Sequence, residues 1–395
     1  MPKVLGFDVC RGKIVCCLLD KRPQKVSKYY LENNKYYHIE NNQSGVELLK
    51  VLSPDFAVGE PTGIKYLKFW EKWLAKIGCE VSLIPNQALP SYRQFLGLPD
   101  KDDEADALAL ACYWFDYSDN PRKFVSRKDS DINVLRELIF RRIFHEESAT
   151  KYINVVHQDL GYEFPEVSTV KSPRRILKSP AVFWRWLADP EIELSRYDDL
   201  YADSCGFGLS VFTEFNADIV CRLGEHCKII EQQIDRILLK NKFTEYIEVF
   251  EEFGFGLPHQ AILLSQLYPL ERFYGPDGKP EVIYSVGKNS GKLTKKPLSL
   301  RRVRKILGVA PTRDWSGGKR RHKKGGSDLC RLSLWQWSFV RIEPERSRLK
   351  NEVGDYLHGI YLSEKQSGKP IAKVRRKVWA KAVEIMFNKL VDALR

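Results

Sequence analysis

Four acidic residues in three separated stretches have the types and spacing for metal-assisted phosphate chemistry. Asp8 closes the apolar run Val4-Leu5-Gly6-Phe7, Glu60 follows Ala57-Val58-Gly59, and Asp103-x-x-Asp106 opens an apolar segment. Asp103 and Asp106 are three apart and therefore share one helical face. Carboxylates brought together from two strand ends and a helix start present hard oxygen ligands, the set that Mg²⁺ takes alongside water and phosphate oxygens. Two such ions about 4 Å apart stabilise both the attacking and the leaving oxygen of a phosphodiester displacement. The expectation is a Mg²⁺ centre with two sites on Asp8, Glu60, Asp103 and Asp106. Each acid also has a plainer reading. An Asp at a strand end serves a turn, Asp103 serves as N-cap of a helix from Ala105 to Phe115, and Asp102 stands next to Asp103 as a substitute for it.

The elements that must position these acids are readable in the first hundred residues. Leu5 to Val9 and Ile14 to Leu19 are apolar runs joined by Cys10-Arg11-Gly12-Lys13, the pattern of a β-hairpin. Val46 to Leu52 reads as a short helix, Phe56 to Gly59 as a buried strand, Tyr66 to Ile77 as an amphipathic helix and Val81 to Ile84 as a further strand. Antiparallel strands followed by strands alternating with helices is the order of a ribonuclease-H-like α/β layer. In open α/β sheets, chemistry gathers at the carboxyl ends of the strands, where Asp8 and Glu60 fall.

Length and charge narrow the class. A chain of 395 residues accommodates two or three domains, and its 43% hydrophobic content supplies real cores. No apolar run approaches the ~18–20 residues of a membrane span and the start lacks a signal-peptide pattern, so a cytoplasmic protein is expected. Nine cysteines without a C-x-x-C pair suggest neither a disulfide framework nor a zinc site. Between Tyr284 and Asn351 the chain carries 19 Lys or Arg against the four acids Asp314, Asp328, Glu343 and Glu345, a net of +15 that exceeds the formal +13 of the whole chain and leaves the remainder slightly acidic. Trp315, Trp335 and Trp337 are interleaved with these cations. Basic clusters bind phosphates and exposed aromatics stack on bases, so nucleic acid is the expected partner. The alternative for the tryptophans is a place in the core.

Between the ends, Ile132 to Val156 and Ile219 to Lys240 carry apolar residues at helical spacing, either a long pair or coiled coil for self-association or ordinary packed helices. Pro165 to Pro180 and Tyr274 to Leu298 read as linkers or surface loops. Phe253-Gly254-Phe255-Gly256-Leu257 is similar to the turn of a helix-hairpin-helix. Ser316-Gly317-Gly318, followed by Lys319 to Lys324, Gly325-Gly326-Ser327 and Arg331, sets a glycine-flanked serine among cations. That setting suits nucleophilic attack on phosphorus, since approach is unhindered and cations stabilise developing negative charge.

Taken in order, these motifs resemble a DEDD-type transposase of the insertion-sequence one-ten family, related to the Piv DNA invertases. The resemblance rests on Gly6-Phe7-Asp8-Val9 with Leu18-Leu19-Asp20, Glu60-Pro61-Thr62-Gly63, Gly78-x-x-Val81 leading to Pro85-Asn86, and Asp103-x-x-Asp106-Ala107-x-Ala109-Leu110-Ala111. At the other end it rests on Gly308-x-x-Pro311, Ser316-Gly317 and Lys324-x-Gly326-Ser327-x-x-x-Arg331-x-x-Leu334. It implies an α/β protein with an N-terminal ribonuclease-H-like (RuvC-like) domain at 1–125, a helical or coiled-coil connector at 126–245 with an inserted segment near 165–220, and a mainly α C-terminal transposase domain at 246–395. By carry-over, Asp8, Glu60, Asp103 and Asp106 hold Mg²⁺ and Ser316 attacks a DNA phosphodiester to form a covalent protein–DNA intermediate in a composite site. Lys319, Arg320, Arg321, Lys323, Lys324 and Arg331 would contact nucleic acid. A homodimer or homotetramer and a structured noncoding bridge RNA are implied as partners beside donor and target DNA. Gly254-Phe255-Gly256 departs from the family's Pro-Gly-x-Gly turn, and Ser327 stands where Asn is common. A metal-only junction resolvase or nuclease, needing the acids but not Ser316, and a catalytically inactive nucleic-acid-binding relative are the competing readings. A sugar-kinase-like ATPase would need a second Asp-Gly phosphate loop, which the sequence lacks.

Overall fold

The computed structural model describes residues 2–32, 35–61, 64–98, 100–125, 129–168, 182–189, 191–192, 195–286, 291–316, 319–323 and 325–395, with the backbone alone at 64–65, 122, 195, 312–316 and 319–323. They form two compact units, Met1–Lys128 and Asp129–Arg395. Among the described residues, no helix is long and apolar enough to cross a membrane.

The first unit is a mixed α/β layer. Its elements run β1 (Val4–Cys10), β2 (Lys13–Leu19), α1 (Val26–Glu32), β3 (Tyr36–Glu40), α2 (Gln43–Leu52), β4 (Phe56–Gly59), α3 (Ile64–Lys76), β5 (Glu80–Leu83), α4 (Ala88–Phe95) and α5 (Asp103–Tyr117). The five strands form one sheet in the order β3-β2-β1-β4-β5. β2 is antiparallel to both of its neighbours, whereas β1, β4 and β5 run parallel. Side chains alternate across β1. Leu5 and Phe7 point to one face with Trp70 and Leu74 of α3, and Val4 points to the other with α4 and α5. Both faces are covered, which is why the central strands read as continuous apolar runs rather than alternating ones. Each large side chain so buried contributes about 1.5–3 kcal/mol.

The second unit begins with α6 (Ser130–Glu163), continues through α7 (Val182–Ala188) and α8 (Ser195–Ala202), and returns along α9 (Val211–Leu238). α6 and α9 are antiparallel partners. Arg142 Nε donates to Glu231 at 3.0 Å, and His145 and His226 have ring centroids 5.4 Å apart. At one end of this pair Phe164, Phe183, Trp184 and Trp186 make a small aromatic core with α7 and α8. At the other, Ile132, Leu135 and Ile234 join the larger core of the C-terminal helices. These are α10 (Thr244–Glu252), α11 (Leu257–Leu267), α12 (Leu298–Ile306), α13 (Asp328–Arg341), α14 (Glu352–Gln366) and α15 (Ile371–Ala393). Two hairpins interrupt them, β6 (Val282–Val286) with β7 (Leu293–Pro297), and β8 (Thr312–Ser316) with β9 (Lys319–Lys323).

One expectation is corrected here. The stretch from Tyr274 to Leu298, read as a loop, contains the β6–β7 hairpin. Its Gly-Pro and Gly-Lys-Asn-Ser-Gly clusters are turn signals that mask the β-branched run Val282-Ile283 between them. The tryptophans do not share one fate: Trp337 is buried and its indole N–H donates to the Phe253 carbonyl at 2.7 Å, while Trp335 is 38% exposed and stacks on Phe339. Two residues apart on a helix is about 200°, so one faces the core and the other faces outward. The linker expected over 165–180 opens with a 3-10 turn, Pro165–Val167, in which Val167 is buried; residues 169–181 lie outside the described residues.

Candidate metal centre

Backbone geometry brings the acids of the first unit together. Val4, Leu5 and Gly6 of β1 pair with Phe56, Ala57 and Val58 of β4. Continued two residues further, that register sets Asp8 level with Glu60, just past the last residue of β4. Gly6 and Asp8 are two apart and lie on one face of the sheet, the face on which α5 packs. A Cβ at Gly6 would stand 1.9 Å from the Ala107 carbonyl oxygen and 2.4 Å from the Ala111 nitrogen, so only glycine lets helix and strand approach this closely. Asp103, Ala107 and Ala111 form one i, i+4 stripe along α5. Two residues of strand cover about 6–7 Å and four of helix about 6 Å. With Gly6 beneath Ala107, the residue over Asp8 is therefore Asp103. The Cys10 thiol donates to Asp103 Oδ2 at 3.2 Å, and ligand atoms of Asp8, Cys10 and Asp103 all lie within 4.8 Å of one another.

Local capping decides which acid is free. Asp102, not Asp103, is the N-cap of α5: its Oδ1 accepts the Ala105 N–H at 2.7 Å, and its Oδ2 accepts the Tyr30 hydroxyl at 2.6 Å. The reading of Asp103 as the cap is thereby corrected, and Asp102, the alternative to Asp103 at the metal, has both carboxylate oxygens already engaged. Asp103 and Asp106 stand in the first turn of the helix, where its dipole favours negative charge.

The acids repel one another. Burial, then the charges of Asp103 and Asp106, push Asp8 up to about 6, against the stabilising Val9 N–H. Glu60 rises to about 7 through burial and the charges of Asp106 and Asp8, opposed by Lys101 and Arg93. Glu60 Oε1 is buried without a hydrogen-bond partner. A cation would supply what this oxygen lacks and would relieve the repulsion, and carboxylate oxygens suit a hard divalent ion. The residues present therefore fit a divalent ion, with Asp8 and Asp103 as nearest ligands and Glu60 and Asp106 contributing charge beside them.

Two residues of this site were not singled out in the sequence. Arg93 of α4 is buried and donates to Asp106 Oδ1, giving the most enclosed of the acids its counter-ion. Nothing in its local pattern signals that role, because the pairing is made only by tertiary packing of α4 on α5. Cys10 shares the face of Asp8 by strand alternation, which was a readable signal. Burial and the neighbouring Asp103 push its thiol up to about 11, so it is a hydrogen-bond donor rather than a thiolate.

The remaining candidates belong to the second unit. Ser316 ends β8 opposite Lys319, the first residue of β9, so it stands at the tip of a hairpin rather than in an irregular loop. Arg320 and Arg321 pair in the backbone ladder with Trp315 and Asp314, and Lys323 with Thr312. Gly317, Gly318 and Lys324 lie outside the described residues. The base of the hairpin is clamped. Gly308 and Gly326 adopt φ of +74° and +71°, and a Cβ at Gly326 would meet the Lys305 carbonyl oxygen at 2.0 Å. Arg331 donates to the Gly325 carbonyl and pairs with Asp328, so its guanidinium braces this junction.

No family model matches the chain, and a search of curated proteins finds no match.

Proposed function

We propose that the chain is a DNA transposase or recombinase that cuts and rejoins strands with Mg²⁺. The observation that carries this reading is the convergence of Asp8, Glu60, Asp103 and Asp106 at the carboxyl ends of parallel strands, charged strongly enough to raise two of them. The strand order β3-β2-β1-β4-β5 with β2 antiparallel supports a ribonuclease-H-like, RuvC-like fold. In this reading Asp8, Glu60, Asp103 and Asp106 together would hold Mg²⁺ at two sites. Bound Mg²⁺ would supply Lewis-acid polarisation of a phosphodiester. Ser316 forms the Oγ–phosphorus bond and a DNA hydroxyl leaves, giving a covalent protein–DNA link. Lys319, Arg320, Arg321, Lys323 and Lys324 neutralise phosphates around it. Donor and target DNA, a bridge RNA that selects them and a homodimer or homotetramer complete the assembly.

A second reading, the metal-only nuclease, is favoured by one fact: all four acids lie within the single compact unit Met1–Lys128. The two readings separate on a denaturing gel. Full-length protein is incubated with Mg²⁺, the DNA flanking its own gene and any RNA expressed from that flank, with Ser316→Ala alongside. A covalent adduct lost in Ser316→Ala is the expected result. Nicked DNA with no adduct in either protein refutes the serine mechanism in favour of the nuclease.

A further inference from the structure

The β6–β7 hairpin presents the wrong face to water for a structural ribbon. Cross-strand partners share a face in an antiparallel pair, and the register joins Tyr284 with Lys295 and Val286 with Leu293. Tyr284 is 60% exposed, Val286 65% and Leu293 69%. The opposite face carries Ile283 with Lys296 and Ser285 with Thr294; it is the less open of the two, with Ser285 and Lys296 half-buried, Ile283 40% exposed and Thr294 exposed. The outward face is thus an aromatic ring and two aliphatic side chains set around an exposed lysine. Lys295 and Lys296 take part in none of the ion pairs among the described residues.

Charge identifies the occupant. From Val282 to Ile306 there are eight Lys or Arg and no acid. Arg302 is tied to Glu281 and Arg304 to Glu384, but Arg301 and Lys305 of the following helix are exposed. A second copy of the same ribbon would be repelled by its own sign of charge. An anionic bilayer would ask for a continuous apolar side, which Lys295 interrupts. A polyanion with a groove satisfies both the cations and the apolar side chains. The major groove of B-form DNA admits a two-stranded ribbon and displays thymine methyl groups, whereas the deep, narrow groove of A-form RNA does not admit side chains.

We infer that the β6–β7 ribbon enters the major groove of duplex DNA, with Lys295 and Lys296 on phosphates and Tyr284, Val286 and Leu293 against base edges. This deepens the reading above, from which it takes nucleic acid as the partner; it does not depend on strand transfer.

The test uses full-length protein in EDTA, so that binding is read without cleavage, and fluorescence anisotropy on a mixed-sequence DNA duplex, the matching RNA duplex and the matching single strand over a range of salt. Each lysine neutralising one phosphate contributes about 0.9 to the slope of log K against log salt. Lys295→Ala with Lys296→Ala is expected to lower the slope on DNA duplex by about 2, weaken binding at least tenfold in dilute salt and leave the RNA duplex unchanged. Tyr284→Ser with Leu293→Ser is expected to weaken duplex DNA binding several-fold with the slope unchanged. All four positions are on the hairpin surface, and circular dichroism checks that the fold persists. An equal loss on RNA duplex or single strand overturns groove entry, as does wild-type DNA binding accompanied by a changed oligomeric state or by lost adhesion to phosphatidylserine vesicles. Wild-type DNA binding by these variants together with an intact Ser316-dependent adduct would refute the ribbon alone; loss of the adduct with normal ribbon behaviour would refute the function alone.

Discussion

Replacing Asp8 with asparagine should make the metal-free protein more stable. The carboxyl is raised from 3.8 to about 6 by burial and by Asp103 and Asp106. A shift of that size corresponds to about 3 kcal/mol of penalty on the charged form. Asp8 is partly open to solvent, so screening reduces this by roughly half, to about 1–2 kcal/mol. The sign follows from proton linkage: between the unfolded and folded pKa values the native state holds a proton that the unfolded chain has released, so stability falls as pH rises. Asparagine removes the penalty. Its gain should be full at pH 8 and shrink to about one third of that at pH 4.5, where the folded carboxyl is still protonated. Urea denaturation of wild type and Asp8→Asn in EDTA at the two pH values measures both quantities. Added Mg²⁺ should stabilise the wild type and not the variant. An asparagine variant less stable than wild type at pH 8, or a gain independent of pH, would refute the crowded-carboxylate account.

Other perturbations probe the same centre. Mn²⁺ affinity should strengthen from pH 5.5 to 7.5 and then level off, because carboxyls raised to about 6 and about 7 must lose protons to bind; calorimetry in two buffers of different ionisation heat should show proton release, and a constant Kd across that range counts against Asp8 and Glu60 as ligands. Arg93→Met leaves Asp106 buried without its counter-ion and should cost about 3–5 kcal/mol, with more than half recovered by adding Asp106→Asn; a loss below 1 kcal/mol in denaturant titrations would show that the pair is dispensable. Gly6→Ala forces a methyl into the backbone of α5, 1.9 Å from the Ala107 oxygen. It should cost at least about 3 kcal/mol and weaken Mn²⁺ binding, and near-native values for both would show that helix and strand can separate freely.

Much of the first unit is legible because its elements are dictated locally. Short continuous apolar runs mark β1, β2, β4 and β5, and the apolar stripe of Leu67, Trp70 and Leu74 marks α3. The edge strand Tyr36–Glu40 and the seven-residue helix Val26–Glu32 go unread, since each is short, half-exposed and defined by what it packs against. The acids are legible as types at strand and helix ends. Their division of labour is not: whether Asp102 or Asp103 caps α5 turns on one backbone angle, and only the fold shows Tyr30 taking the other oxygen of Asp102. Arg93 and the Gly6–Ala107 contact are products of packing between segments about a hundred residues apart or less, with no periodic trace in the chain.

The stripe Asp103, Ala107 and Ala111 has a consequence for how the site could be lost. Beyond Ala107 the helix is fixed by Leu108, Leu110 and Cys112, all fully buried. One extra residue inserted between Asp106 and Ala107 would leave that buried part in place and turn everything before it by about 100° and ~1.5 Å. Both acids would swing away from Asp8 while the sheet, the core and most of the helix stayed as they are. A chain so altered would remain folded and basic but without its cluster of charge, so a single inserted codon separates retention of the fold from retention of the site.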